Sequence, residues 1–330
     1  MSASSTSSPL RFVDAETVAR TLPFAELVEA LHKAFAATDL AAPPRMHYGL
    51  DGLDGLAPGN PVLLSMPAWS RRLGLGTKLV TVYPGNHKLG LPSIHGVYVL
   101  MDAATGRPEA VLDAGELTAR RTAAASALAS RFLSRPDSRT LLMVGTGRLA
   151  HVLPLAHAAV RPLTRVLVWG RALAKAHETA QFLQSQGLAA EPVTSLERAC
   201  ADADIISCAT LSGDALLHGD WLQPGTHVDL VGAFTATMRE TDDRVLGRAD
   251  AVWCDTTQGA MTEGGDLVQA LASGALDTTK IRGELADLCR AVQAPPRTMQ
   301  DITVFKSVGV ALEDLAAARL CLDRLTAPPV

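Results

Sequence analysis

Gly145, Gly147 and Ala150 stand at G-x-G-x-x-A spacing between an apolar run, Leu141 to Val144, and a stretch of helical spacing, His151 to Val160. Strand, tight glycine turn and helix start in this order form the arrangement that cradles the pyrophosphate of a dinucleotide. Gly145 lets the chain turn sharply, and Gly147 sets no Cβ in the way of an anion. Ala150 is small enough for the helix to pack close to the strand. The N–H groups at the helix start offer a partial positive charge, although Pro154 falls in its opening turns. Gly145, Thr146, Gly147, Arg148, Leu149 and Ala150 are therefore the expected pyrophosphate contacts.

A second short strand, Arg165-Val-Leu-Val-Trp-Gly-Arg171, ends about 20 residues further on, where an NAD-binding domain usually carries a carboxylate for the ribose 2′-OH and an Arg suits a 2′-phosphate. This strand ends in Trp169, Gly170 and Arg171, and the next carboxylate is Glu178, well into the following helix. The pattern favours NADPH over NADH, against the alternative of a solvated Arg at a strand end.

Three cations lie in or beside otherwise apolar segments of the first half: Arg45 after Pro43-Pro44, Lys78 within Leu75-Gly-Thr-Lys-Leu-Val-Thr-Val, and Arg121 in an alanine-rich helix. Charges in such places need partners. A substrate carboxylate is one answer, and pairing with Asp or Glu of the protein itself is the other. Arg120 and Arg121 are adjacent on a helix, about 100° apart, so they cannot both face one site. Ser93 and His95 sit where a turn enters a strand, a place where histidine commonly has a structural role. Asp229 and Asp255, at strand ends, read as structural.

The elements that must position these residues follow from hydrophobic spacing. Asp14 to Ala37 reads as helix interrupted at Pro23, with Leu27, Leu31, Ala34 and Phe35 on its apolar face. Short β-rich runs at Val62–Met66, Gly76–Tyr83, His95–Asp102 and Pro108–Asp113, separated by turn formers such as Pro84-Gly85-Asn86, predict a sheet before the nucleotide domain. Glu116 to Phe132 is helical by composition. Strands and helices then alternate as in a doubly wound sheet, through Asp204–Thr210, Gly225–Ala233 and Ala249–Asp255, with a helix opening at Glu263-Gly-Gly-Asp266. Gly145, Arg171, Thr210 and Gly232 fall at the C-terminal ends of their strands, the edge at which open α/β sheets bind ligands. An amphipathic helix, Val310 to Leu325, closes the chain.

At 330 residues the chain suits two domains, and its net charge of −4 comes without any basic block that would indicate nucleic acid. Five scattered cysteines (Cys200, Cys208, Cys254, Cys289, Cys321) show neither C-x-x-C nor metal-ligand spacing, and read as core residues. No metal site is expected. The polar Ser-rich start, Met1 to Pro9, is expected to lack order, and it has no apolar signal-peptide core. With no apolar run long enough to span a membrane, the expectation is a soluble cytoplasmic enzyme.

Together, Gly76-Thr-Lys-Leu-Val, Leu91-Pro-Ser, Leu117-Thr-Ala-Arg-Arg-Thr-Ala-Ala, Val144-Gly-Thr-Gly, Val231-Gly-Ala, Glu263-Gly-Gly-Asp and Thr303-Val-Phe-Lys-Ser-Val-Gly resemble the ornithine cyclodeaminase/mu-crystallin family, from about Arg45 to the C-terminal helix. The resemblance implies an α/β fold: a Rossmann-type doubly wound parallel sheet over 117–305, plus an α+β substrate-binding and dimerisation domain over 10–116 and 306–330. It implies a homodimer in which Arg45, Lys78 and Arg121 hold a substrate carboxylate beside the nicotinamide, with Ser93 near substrate and cofactor. His95 joins this catalytic group as a candidate, and Thr210, Gly232 and Ser307 join the cofactor contacts.

Cyclodeaminases of the family carry a catalytic Asp directly after the Gly-Gly or Gly-Ala that ends one strand; this sequence reads Gly232-Ala233-Phe234. That departure, with Leu79-Val-Thr-Val-Tyr-Pro-Gly-Asn86 and Gly232-Ala-Phe-Thr-Ala-Thr-Met-Arg239, resembles the family's cyclic imino-acid reductases. They act on Δ1-pyrroline-2-carboxylate and Δ1-piperideine-2-carboxylate, giving L-proline and L-pipecolate, and an apolar Phe234 suits a flat ring with a C=N bond. Lys78, His95 and a substrate bound already protonated all stay open as the source of the nitrogen's proton. A cyclodeaminase with tightly bound NAD, an alanine dehydrogenase-like enzyme and a non-catalytic NADPH- and ligand-binding protein are the alternatives.

Overall fold

The computed structural model describes residues 10–50, 60–293 and 297–327; the Ser-rich start lies outside them. The chain forms two compact units. One comprises Met1–Ala30, Ala37–Arg121 and Val310–Val330, and the other Leu31–Ala36 and Thr122–Gly309.

The first unit is built on a six-stranded sheet of β1 (Arg11–Val13), β2 (Met46–Gly49), β3 (Val62–Ser70), β4 (Gly74–Val82), β5 (Ile94–Met101) and β6 (Pro108–Asp113), in the order β1-β6-β5-β4-β3-β2. β1 runs parallel to β6, and every other neighbouring pair is antiparallel. Side chains alternate across a strand, so register decides which residues share a face. Met66, Lys78 and Tyr98 are cross-strand partners, and they lie on the buried face with Ala68, Leu100, Ala110 and Leu112. The C-terminal helix, Ala311–Thr326, covers this face over β3, β4 and β5. Gly76 makes room there: a Cβ at that position would stand 2.1 Å from the Tyr98 hydroxyl. Asp14 caps helix Ala15–Thr21, accepting from the Thr17 N–H at 2.8 Å. Pro23 separates that helix from Phe24–Ala36, whose Leu27, Leu31, Ala34 and Phe35 are all buried as the spacing predicted. The expected turn at Pro84-Gly85-Asn86 is one end of a 3-10 helix, Pro84–Leu89.

The second unit is an eight-stranded, wholly parallel sheet: β7 (Thr140–Val144), β8 (Arg165–Trp169), β9 (Ala190–Pro192), β10 (Ile205–Cys208), β11 (His227–Leu230), β12 (Ala251–Cys254), β13 (Ile281–Glu284) and β14 (Thr303–Lys306). Its order is β13-β12-β14-β11-β10-β7-β8-β9. The winding reverses between β7 and β10, the switch point at which such sheets open a ligand crevice. β14 enters last, between β11 and β12. The runs of Leu, Val and Ile in β7, β10 and β11 are fully buried, as expected of strands covered on both faces. All five cysteines are buried and free. Among the described residues no helix is long and apolar enough to cross a membrane.

A polar group is sealed inside this unit. Ser207 donates to the Asp229 carboxylate at 2.6 Å, His157 lies 3.4 Å from the same oxygen, and His227 Nδ1 is 2.9 Å from the Thr303 hydroxyl. Asp229 is thus structural, as its position suggested. Burial, above all, pushes His227 down to about 3, so the imidazole is neutral in the folded chain. An unfolded histidine titrates near 6.5, so the unfolded chain takes up a proton that the folded one refuses. This contribution to stability is complete above about pH 6.5 and drains away as pH falls towards 3. His227→Leu should flatten the dependence of the urea midpoint on pH between 6.5 and 4.5, removing a slope of up to about 1.4 kcal/mol per pH unit; equal slopes in both proteins would show that His227 folds protonated.

Candidate functional site

The nucleotide turn leaves β7 as the sequence predicts. Gly145 has φ +125°, in the region that favours glycine, and a Cβ on it would lie 2.7 Å from the Ala209 carbonyl oxygen at the end of β10. Its N–H donates to Trp169 O at 2.9 Å, tying the turn to β8. Gly170 lies equally tight, since a Cβ there would come 2.6 Å from Thr146 Cγ2. Gly147 is the contrary case, with no atom within 4 Å of where its Cβ would stand. Backbone packing and its positive φ therefore dictate glycine at 145, the Thr146 side chain crowds position 170, and Gly147 borders open space of the kind a pyrophosphate requires. Ser307, just past β14, adds a buried hydroxyl with no hydrogen-bond partner among the described residues. These features fit a dinucleotide.

The helix after the turn differs from expectation. Arg148–His151 is a 3-10 turn, and the α-helix proper runs only from Leu153 to Ala158. Pro154 has no N–H to give an upstream carbonyl and so is tolerated only in the first turn, which places the start after the glycines. Leu149 is half-buried and Ala150 buried, and Arg148 and Arg171 are exposed.

A residue without an assigned role in the sequence organises the neighbouring strand ends. Glu240 is fully buried. Its Oε1 accepts from the Thr210 N–H at 2.6 Å and the Thr210 hydroxyl at 2.8 Å, and its Oε2 from the Gly232 N–H at 2.7 Å and the Ala233 N–H at 3.3 Å. Thr210 and Gly232, expected as cofactor contacts, thus already spend their backbone donors on the protein. Behind Glu240, Asp266 Oδ1 accepts from the N–H groups of Glu240 and Thr241 at 2.8 and 2.9 Å, and buried Lys306 is 3.3 Å from Asp266 Oδ2. Burial pushes Glu240 upward, and Lys306 opposes that most strongly. Asp255 likewise holds the Val308 and Gly309 N–H groups. Lys306 and Asp266 occur in motifs that marked the resemblance, but no local pattern singles out Glu240. Phe234 is about one-third exposed, in a turn where its N–H donates to Gly232 O at 3.0 Å.

In the first unit, Lys78 and Arg121 are brought together, 2% and 4% exposed, by two consecutive carboxylates of the C-terminal helix. Lys78 Nζ lies 3.0 and 2.9 Å from the two oxygens of Asp314 and 3.3 Å from the Thr118 hydroxyl. Arg121 Nε donates to Asp314 at 3.0 Å and Nη1 to Glu313 at 2.5 Å. The protein's own carboxylates are therefore partners of both cations. Arg120 faces elsewhere, pairing with Glu116 at 2.8 Å and donating to Leu22 O at 3.0 Å. Arg45, half-buried, precedes β2; run back one residue, the β2–β3 register sets it opposite Met66, on the face of Lys78. Ser93 lies in the bend before β5, its carbonyl accepting from the Tyr83 N–H at 2.7 Å. His95 pairs with Thr81, an odd number of residues from Lys78, and so stands exposed on the opposite face of the sheet. Register thus separates His95 from the cations.

A parallel sheet with a glycine turn at its switch point defines a dinucleotide-binding α/β protein. The family model for the ornithine cyclodeaminase/mu-crystallin family matches residues 11–328, and the chain belongs to that family. It is 39% identical to the Δ1-pyrroline-2-carboxylate reductase of Paracoccus denitrificans, over 80% of this chain and 83% of that protein. It is 34% identical to the reductase of the same name from Colwellia psychrerythraea, over 96% and 99%. Among solved structures, Thermococcus litoralis Δ1-pyrroline-2-carboxylate reductase in complex with NADH and L-proline superposes with a TM-score of 0.88 at 28% identity, covering 96% of this chain and 97% of that one.

Glu240 gives the site its clearest test. In Glu240→Gln one oxygen becomes a donor facing donors, so at least one N–H loses its acceptor. A loss of about 1.5–3 kcal/mol in denaturant stability is expected, and an unchanged unfolding midpoint would show that the four hydrogen bonds do not hold these strand ends.

Proposed function

We propose that this protein is an NAD(P)H-dependent reductase of cyclic ketimines. It takes Δ1-pyrroline-2-carboxylate or its six-membered homologue Δ1-piperideine-2-carboxylate to L-proline or L-pipecolate. The observation that carries the reading is the likeness, at 34–39% identity, to two Δ1-pyrroline-2-carboxylate reductases over most of their lengths. Phe234 supports it, as an apolar side chain where the resemblance sets a cyclodeaminase's catalytic Asp.

In this reading the turn Gly145–Ala150 holds the pyrophosphate, with Ser307 as a further contact. The reduced nicotinamide supplies the hydride. Arg45 and Arg121 hold the substrate carboxylate, so that ring and cofactor meet in a fixed attitude, which is the largest help a hydride transfer needs. Lys78 retains one ammonium N–H beyond those given to Asp314 and Thr118. Arg171, exposed and without a carboxylate partner among the described residues, takes the 2′-phosphate, which makes NADPH the preferred cofactor and NADH an accepted one. Absorbance at 340 nm, followed with either cofactor and each cyclic imine, tests this: NADPH oxidation is expected, and Arg171→Ala should weaken NADPH while sparing NADH. No oxidation with any imine would end the reductase reading, and equal losses for both cofactors would end the preference.

The first unit also carries a homodimer in this reading. The sheet face opposite the C-terminal helix presents Phe12, Met46, Tyr48, Trp69, Leu79 and Val97, each at least 37% exposed. Large apolar side chains gathered on one exposed sheet face are what an interface covers. Sedimentation should show a dimer for the wild type and a monomer for Phe12→Glu combined with Leu79→Glu; a wild-type monomer at micromolar concentration would overturn the assignment.

A further inference from the structure

Removing one partner from a buried ion pair costs far more than the pair itself contributes, because the other charge is stranded. Asp314 stands at that point for two cations at once. It is fully buried, and among the described residues it is the carboxylate that touches both Lys78, at 2.9 and 3.0 Å, and Arg121, at 3.0 Å. Glu313 reaches the same guanidinium from the next helix position, at Nη1 instead of Nε. Thr118 takes a second ammonium proton at 3.3 Å. An ammonium has three N–H donors, so Lys78 is held by two and keeps one.

We propose that Asp314 is a positioning residue for imine reduction: it locks the Lys78 ammonium against the Arg121 guanidinium so that the remaining N–H of Lys78 meets the ring nitrogen. This rests on the reductase reading. As hydride reaches C2 of the imine, the proton on Nζ passes to the ring nitrogen; the C=N π bond breaks, C–H and N–H bonds form, and Lys78 is left as a neutral amine that water reprotonates. Burial first, then the neighbouring Arg121, push Lys78 down to about 8, while Asp314 and Glu313 pull it back up. Among the described residues, Arg45, which the register sets on the same sheet face, and Tyr98, from β5, also look onto the cluster; burial pushes the Tyr98 phenol well above its ordinary value and so keeps it neutral. A donor that titrates close to the working pH is the kind that transfers protons best.

The experiment compares wild type, Asp314→Asn, Asp314→Glu and Lys78→Met. The rate kcat/KM with a cyclic imine is measured from pH 6 to 10, and Lys78 is followed by NMR of 13Cε-labelled lysine, its resonance assigned from Lys78→Met. For the wild type, kcat/KM should fall above about pH 8. Asp314→Asn should move that fall, and the Lys78 titration with it, about 1 to 3 pH units lower, with a larger loss in kcat than in KM. Asp314→Glu, which keeps the charge, should restore the limb and stands in if the Asn variant does not fold. An alkaline limb unmoved in Asp314→Asn, or retained in Lys78→Met, overturns the proposal, as does a Lys78 resonance that titrates alike with and without Asp314. Failure of the reductase reading is told apart by its signature: no imine turned over by the wild type, while the Lys78 titration still shifts.

Discussion

Two cations buried under one helix set the terms for the first unit. Lys78 and Arg121 cannot be taken out of water unless anions go with them, and those anions are on the last helix of the chain, 236 residues after Lys78. The sheet face, the helix that covers it and the Gly76 space for Tyr98 all serve that enclosure. Hydrophobic burial supplies the drive, through Met66, Leu100, Leu112 and their neighbours, and the four matched charges decide which helix can lie there and at what register. An apolar helix of the same shape would bury as much surface and leave two charges stranded.

The second unit solves a different problem. Eight parallel strands leave their C-terminal ends facing one edge, with backbone donors and acceptors that the strands no longer pair. Near the switch point the glycine turn leaves open space at Gly147. Beside it Glu240 closes the gap between β10 and β11 by taking four hydrogens from Thr210, Gly232 and Ala233. The edge is therefore divided between a part kept open and a part tied shut by a buried carboxylate, and Asp266 and Lys306 hold that carboxylate from behind.

Much of this was legible in the sequence, for reasons specific to each element. Gly145, Gly147 and Ala150 carry short-range information, since turn and close packing are local. β-rich runs between turn formers predicted the strands β3 to β6, though not which face each side chain takes, and Pro23 and Pro154 acted where a missing N–H must act. Arg45, Lys78 and Arg121 stood out as cations in apolar segments, and the resemblance supplied the role expected of them. What stayed hidden was long-range: that Glu313 and Asp314 pair with those cations, that Glu240 occupies the donors of Thr210 and Gly232, and that β14 enters between β11 and β12. A charge on a helix does not announce its partner hundreds of residues away. His95 was legible as a residue but not as a direction, because only register shows that it and Lys78 point to opposite sides.

The late entry of β14 has a consequence for biosynthesis. Until residues 303–306 have left the ribosome, β11 and β12 each present an unpaired inner edge, and the sheet is two half-sheets with a slot between them. The same final stretch of chain then delivers the helix that neutralises Lys78 and Arg121. Neither unit is complete before that stretch has been made, so until then two sticky edges and two uncovered charges must be kept from wrong partners. Truncation by some thirty residues at the C-terminus would therefore damage both units together, although the missing piece belongs mostly to one.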